Sequence, residues 1–213
     1  MQYPTISENV NAIQDAGDNL DKSTEATNAE LNEAITDEFG VKYSKDGRKF
    51  LQAPKELDGT YSIRKETKII CDCAFDGCSS LRSLVLSQAV TSIGDGAFED
   101  CSSLSRLVIP DSVTSIGDGA FEGCSSLGSL VIPDGVTRIE YSAFEGCSSL
   151  RSLVIPDSVT SIGDRTFFRC SSLSSLVIPN SVTSIGEGAF RDCNFPDNLK
   201  QELISRFGDK IFG

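Results

Sequence analysis

From Tyr61 onward, hydrophobic positions recur on a fixed grid of 23 residues. In the stretch from Leu107 to Ser129, LVIPDSVTSIGDGAFEGCSSLGS, the apolar slots are Leu107, Ile109, Val113, Ile116, Ala120, Phe121, Cys124 and Leu127. The grid repeats without gaps in units beginning at Leu84, Leu130, Leu153 and Leu176, and a degenerate unit precedes them from Tyr61. A period of this length marks a solenoid in which each unit is one coil. Within the unit, Leu107 and Ile109 alternate with Val108, the pattern of a half-buried strand. Pro110 has no N–H to offer a ladder and stops that strand, and Asp111-Ser112 turns the chain. Val113 to Ile116 forms a second short extended piece, Gly117-Asp118-Gly119 turns again, and Ala120-Phe121 with Cys124 closes the coil. One such unit cannot hide its own apolar slots, whereas stacked units share them and pair strand to strand. At about 4.8 Å per coil, six coils predict a mainly β stack of parallel coils roughly 25–30 Å long.

A stack exposes its core at both ends, so the flanking segments are read as caps. Val41-Lys42-Tyr43 and Lys49-Phe50-Leu51, joined through Lys45-Asp46-Gly47, predict a hairpin within residues 41–58 that covers the first coil. After the solenoid, residues 59–194, Pro196 suits a first helical turn, and Leu199, Leu203 and Phe207 share one helix face. Within residues 195–213 a capping helix is therefore expected over 196–207, with Gly208 as its stop. Residues 1–40 differ in kind: Val10, Ile13, Leu20 and Leu31 sit on a loose heptad grid interrupted by Gly17, Thr24 and Thr27. Three readings stay open for this acidic arm: a marginal helix or disordered segment, a helix docked on the solenoid, or a weak coiled coil that oligomerises the chain.

The run LxxLxIPxxVxxIGxxAFxxC, carried by Leu104 to Cys124, resembles the BspA-like leucine-rich repeat, and the resemblance covers about residues 59–194. It implies a right-handed leucine-rich-repeat solenoid. It also implies kinship with surface adhesion proteins of mucosa-associated bacteria, some of which bind host matrix proteins. The family shares no catalytic residues and no cofactor. The expectation is thus a non-enzymatic scaffold for a protein partner, at the cell surface or secreted. A cytoplasmic location is the alternative, because MQYPTISENV has neither a basic start nor an apolar core. A structural module assembled through residues 1–40 is the rival function.

Charge and chemistry narrow the field. Residues 1–40 carry nine acidic side chains and one basic, Lys22, so −8 of the net −12 lies there. An acidic chain with no basic stripe argues against nucleic acid and against an anionic membrane surface. No apolar run is long enough to insert in a bilayer. The chain contains no histidine, which removes Ser-His and Cys-His nucleophile systems. Gly117-Asp118-Gly119 lacks the G-x-G-x-x-G spacing and a surrounding βαβ unit, so it is read as a repeated turn and not a nucleotide loop.

Six of the eight cysteines, Cys78, Cys101, Cys124, Cys147, Cys170 and Cys193, lie 23 residues apart. They share one slot, so they are expected to form a buried, reduced column in which each acts as a small hydrophobe. Cys71 and Cys73 fall opposite Gly94 and Gly96 in the turn and are expected near the surface. With Cys78 they read C-x-C-x4-C, and with no histidine to complete a zinc site, tolerated turn cysteines are the reading adopted.

Two sets of partner-binding candidates emerge. If Leu107 and Ile109 point inward, Val108 points outward, and so do Val85, Val131, Val154 and Val177. Stacking aligns them into an apolar column, flanked by Ser83, Arg106, Ser129, Ser152 and Ser175 on one side and Asp111, Asp134, Asp157 and Asn180 on the other. Such a column is either an interaction surface or simply valine's fitness for strands. The second set breaks the repeat on the turn side: Arg138 and Tyr141 replace Ser and Asp, and Arg165, Phe168 and Arg169 replace Gly, Glu and Gly. This is either a basic-aromatic contact spot on an acidic protein or random drift.

Overall fold

A computed structural model describes residues 22–213. The Val10–Leu20 part of the heptad grid therefore lies outside the described residues. The coils contribute a strand on one face, except the coil of Leu176, and a two-residue strand on the other. On the first face β4 (Gly59–Ser62), β6 (Leu81–Val85) and β8 (Arg106–Val108) form one parallel sheet, and β10 (Ser129–Val131) and β12 (Ser152–Val154) form another. On the second face β5 (Ile69–Ile70), β7 (Ser92–Ile93) and β9 (Ser115–Ile116) run parallel, as do β11 (Arg138–Ile139), β13 (Ser161–Ile162) and β14 (Ser184–Ile185). Register is a whole repeat everywhere in the consensus units: Leu84 faces Leu107, Leu130 faces Leu153, and Ile93 faces Ile116. After each face strand the chain turns where Val113 N–H bonds the Pro110 carbonyl, and Val136, Val159 and Val182 repeat that bond.

Beside the buried leucine, isoleucine and valine slots, three columns run through the turn side of the interior. Phe50, Phe75, Phe98, Phe121, Phe144, Phe167 and Phe190 stack ring on ring at 4.2–5.7 Å, all fully buried. Beside them the turn backbones bond from coil to coil: Phe98 N–H reaches the Ala120 carbonyl, Phe121 N–H the Ala143 carbonyl, and Phe167 N–H the Ala189 carbonyl. The cysteines form the third column, and all eight carry free thiols. Their role is more than apolar filling. Cys124 Sγ donates to the Phe98 carbonyl at 3.2 Å, and Cys101, Cys147, Cys170 and Cys193 each bond the equivalent phenylalanine carbonyl one coil back. Each of these carbonyls already accepts one backbone N–H, as Phe98 does from Cys101, and a small side chain with one weak donor fits its second lone pair.

Both sheets break at the same place, between the coil of Leu107 and that of Leu130. One repeat position changes at this seam. Ser112 Oγ bonds the Val90 carbonyl and Ser158 Oγ the Val136 carbonyl, each tying a coil to the one before. At the break the equivalent residue is Gly135, whose backbone packs so close that an added Cβ would lie 2.9 Å from the Val113 carbonyl oxygen. The turn column crosses this seam intact, through Gly119 N–H to the Tyr141 carbonyl and Phe121 N–H to the Ala143 carbonyl.

The hairpin is observed as β2 (Lys42–Tyr43) antiparallel to β3 (Lys49–Gln52), and β3 in turn joins β5. A third strand, β1 (Ile35–Thr36), pairs with β2 and comes from inside the acidic arm. Helix α1 (Asn28–Asn32) precedes it, opened by a capping box between Thr27 and Glu30. This segment docks on the solenoid: Ala26, Leu31 and Ala34 pack on the core, Asp72 N–H bonds the Thr24 carbonyl, and Glu30 meets the buried Lys49 ammonium at 3.0 Å. Docking corrects the expectation for Cys71. It is fully buried beneath this segment, and only its neighbour Cys73 is exposed.

At the other end helix α2 (Asp197–Phe207) follows Pro196. Leu203 is buried while Leu199 and Phe207 pack partly against the core. Arg206 fastens the helix by donating to the Ile178 and Pro179 carbonyls, both at 3.2 Å. The helix does not cap alone. A 3-10 turn, Asp209–Phe212, takes the place of the next coil, accepting Gly188 N–H at the Lys210 carbonyl and Phe190 N–H at the Ile211 carbonyl.

Candidate functional site

The strand face carries the valine column. Val85, Val108, Val131, Val154 and Val177 are 52–83% exposed, while Leu107, Leu130, Leu153 and Leu176 one position away are buried. Alternation along each strand sends the two sets to opposite sides of one backbone. Val85 sits in register with Val108, and Val131 with Val154. The column is not flat. A shallow hollow of about 220 Å³ lies where the sheet breaks, lined by Val108, Val131 and Val154. A wider one of about 610 Å³ lies between Val154, Val177 and the start of α2 at Pro196, Asn198 and Leu199.

The turn ridge carries the second set, and the structure gathers most of it. Tyr141, Arg165 and Phe168 line one hollow of about 280 Å³ together with Asp164, Glu187 and Arg191. Arg165 and Arg169 each hold a guanidinium 4.7 Å from the Phe168 ring centre, and Arg191 holds a third at 5.6 Å. Phe168 is therefore not an exposed aromatic: it is only 5% accessible, roofed by cations. Arg138 does not join the group. Its side chain is largely exposed and pairs at 3.3 Å with Glu140, just past the end of its own strand. Arg191 was missed by sequence reasoning, although its signal was present: it stands one period after Phe168, in the slot that Glu99, Glu122 and Glu145 occupy in earlier coils.

That slot gives the ridge a polarity. Glu99 and Glu122 have their carboxyls pushed up, first by burial and then by neighbouring acids. One coil further on, Glu145 is met by Arg165 at 3.7 Å, and beyond it the slot holds Phe168 and then Arg191. The ridge thus passes from acidic to basic along the stack. Reactive chemistry is not prominent. Burial pushes the Cys71 and Cys124 thiols up to about 12 and the Cys78 thiol up to about 11, against the thiolate a nucleophile needs. Among the described residues, no three His, Cys, Asp or Glu side chains converge as a metal site would require, and no helix is long and apolar enough to cross a membrane.

These coils match known proteins. The family described as "BspA type leucine rich repeat region" matches in six copies, over residues 59–153 and 91–213. Among solved structures, a leucine-rich-repeat protein of T. pallidum is 25% identical, with a TM-score of 0.68 over 85% of this chain and 95% of that one. The pneumococcal vaccine antigen PcpA is 25% identical with a TM-score of 0.60, over 84% of this chain and 46% of its own. A leucine-rich cell surface protein of Faecalibacterium prausnitzii is 28% identical with a TM-score of 0.58, over 76% of this chain and 53% of its own. This chain thus corresponds to about half of each of the latter two. Among curated protein sequences there is no match. The 23-residue grid, the stacked coils and the six matched copies together place this chain in the BspA-type leucine-rich-repeat family.

Proposed function

We propose that this chain is a non-enzymatic protein-binding scaffold that engages its partner through the exposed valine column, at the cell surface or after secretion. The observation that carries this reading is the row of five valines, each more than half exposed, with Val85 in register with Val108 and Val131 with Val154, on a face whose alternate residues are locked in the core. A contiguous apolar row on a soluble surface marks an interaction site. Because the stacked phenylalanines hold the face rigid, little conformational entropy is lost when a partner docks. The absence of histidine from the sequence and the upward-shifted buried thiols support the non-enzymatic part. The surface location rests on the pneumococcal antigen and the Faecalibacterium cell surface protein, both similar to this chain.

The test is biolayer interferometry against immobilised extracellular-matrix proteins, comparing the parent chain with a Val108→Glu, Val131→Glu variant. Both positions are exposed, so melting is expected to be unchanged while binding falls at least about tenfold, the loss that burying two unpaired charges imposes. Equal binding by the variant, or none by the parent chain, overturns the reading. The rival, an assembly module joined through residues 1–40, predicts that deleting them abolishes oligomers in light scattering. Ala26, Leu31 and Ala34 of this segment pack on its own solenoid, which favours the scaffold.

A further inference from the structure

The turn ridge departs from its own repeat where departure is most costly. Gly96, Gly119 and Gly188 occupy one turn slot, and Gly77, Gly123 and Gly146 occupy another, all with positive φ. In a single coil both slots are arginine, Arg165 at φ 55 and Arg169 at φ 61. Left-handed backbone strains any residue with a Cβ, and such strain persists where a function uses it. What it achieves here is visible. The two guanidiniums, joined by Arg191 from the next coil, converge on the buried Phe168 ring. Arg165 is held beside Glu145. Arg169 and Arg191 have no carboxylate partner among the described residues. Three cations of like sign are thus concentrated on a protein whose net charge is −12.

We propose that Arg165, Arg169 and Arg191, arrayed on Phe168, form a second docking site, which takes an acidic side chain from an extended peptide segment of a protein partner. The proposal rests on the protein-binding reading above but uses the opposite side of the coil. Guanidinium forks match carboxylates in shape and bond them with charge assistance. The hollow of about 280 Å³, lined by Arg165 and Arg191 with Arg169 beyond its lining, has room for one or two side chains. Its rim favours a peptide over a sulfated glycan. Asp164 and Glu187 stand on that rim and Glu122 and Glu145 extend the ridge beyond it. These carboxylates repel a densely anionic polymer and can accept the backbone N–H groups that a peptide brings. A glycan chain would need a continuous basic track, and the next slots along the ridge are acidic.

The experiment uses the full chain, a fluorescently labelled, end-blocked oligoglutamate peptide, and anisotropy at low and at physiological salt. Two double variants remove the same charge: Arg169→Gln with Arg191→Gln at the site, and Arg82→Gln with Arg106→Gln on the strand face. The parent chain is expected to bind, with affinity falling as salt rises. The site variant should weaken binding about tenfold or more, while the strand-face variant matches the parent. Glutamine retains most of the aliphatic cover over Phe168, so the site variant should melt with the parent. A third variant, Arg165→Gly with Arg169→Gly, restores the repeat's own glycines; it should melt no lower than the parent and yet lose binding. No binding by the parent, equal losses in both charge-matched variants, or heparin oligosaccharide binding more tightly than the peptide overturns the proposal. The Val108→Glu, Val131→Glu variant should bind the peptide normally, so failure of the valine-face reading and failure of this site give different results.

Discussion

Replacing Phe144 by alanine tests whether the aromatic column holds the coils together. The ring is fully buried and stacked between Phe121 at 5.4 Å and Phe167 at 5.7 Å, nearly parallel to both. Truncating a buried phenylalanine costs about 3–5 kcal/mol through lost transfer energy and the cavity left behind. Each offset-stacked pair adds about 0.5–1.5 kcal/mol beyond the area buried. The cavity here cannot close easily, because coil spacing is set by the turn-column bonds from Phe121 N–H to the Ala143 carbonyl and from Phe144 N–H to the Thr166 carbonyl. A loss of about 4–6 kcal/mol is therefore expected. At about 2–4 °C per kcal/mol for a chain of this size, the midpoint should drop by about 10–20 °C. Differential scanning calorimetry with Val131→Ala as the exposed control, expected within about 0.5 kcal/mol of the parent, isolates the effect. A Phe144→Ala midpoint within about 5 °C of the parent, a shift too small for such a cavity, refutes the column as a principal source of stability.

The thiols and the docked arm give two further tests. Titration with a thiol reagent at pH 8 should detect one reactive cysteine in the native chain, the exposed Cys73, and all eight after denaturation; the reaction should be slow, because burial and four nearby acids push the Cys73 thiol up. The arm should release in acid. Burial alone would raise the Glu30 carboxyl, but bonds from Thr27 and Lys49 outweigh it and hold the group below its ordinary value. A depressed folded-state value means that Glu30 stabilises docking above the ordinary carboxylate range and loses that contribution as pH falls through the lowered value. Exposure of Cys71 to dithiodipyridine should therefore rise below about pH 4. Glu30→Gln, which leaves Lys49 buried without its ion pair, should bring the same exposure at neutral pH; a Cys71 that stays protected in both conditions refutes the latch.

What stacking constrains was legible in the chain, and what single residues decide was not. Leu107, Phe121 and Cys124 recur because each must fit the same residue one coil above and below, so period alone located the core. Val108 followed from alternation, and α2 from the spacing of Leu199, Leu203 and Phe207. Cys71 was misplaced because the repeat register assigns it a turn position, whereas it is fully buried next to Asp72, whose N–H is held by the Thr24 carbonyl of a segment with no register of its own. Phe168 was read as part of a contact spot, but its burial was not legible, because its roof includes Arg191, contributed by the following coil. The seam coincides with Gly135, which lacks the hydroxyl that Ser112 and Ser158 use in the same slot. The 3-10 turn at Asp209–Phe212 has too short a pattern to register, yet Ile211 is as buried as any core leucine.

This difference gives a way to weigh departures from a repeat by their physical cost. On the strand face a change such as Arg106 for serine meets solvent, so it carries little information. Inside, Thr166 in the alanine slot is affordable only because its hydroxyl bonds both the Glu140 and Gly163 carbonyls. At the left-handed turn slots glycine is the residue that meets no steric penalty, so a side chain there needs a compensating reason. Cys73, Asp100, Ser142 and Asp192 occupy such slots singly within their coils. Arg165 and Arg169 occupy both within one coil, and both point at the same ring. Independent drift would have to breach the costlier constraint twice within five residues and aim both results at Phe168. A shared role for the pair explains the strain, the convergence and the reversal of charge along the ridge together, whereas drift explains none of the three.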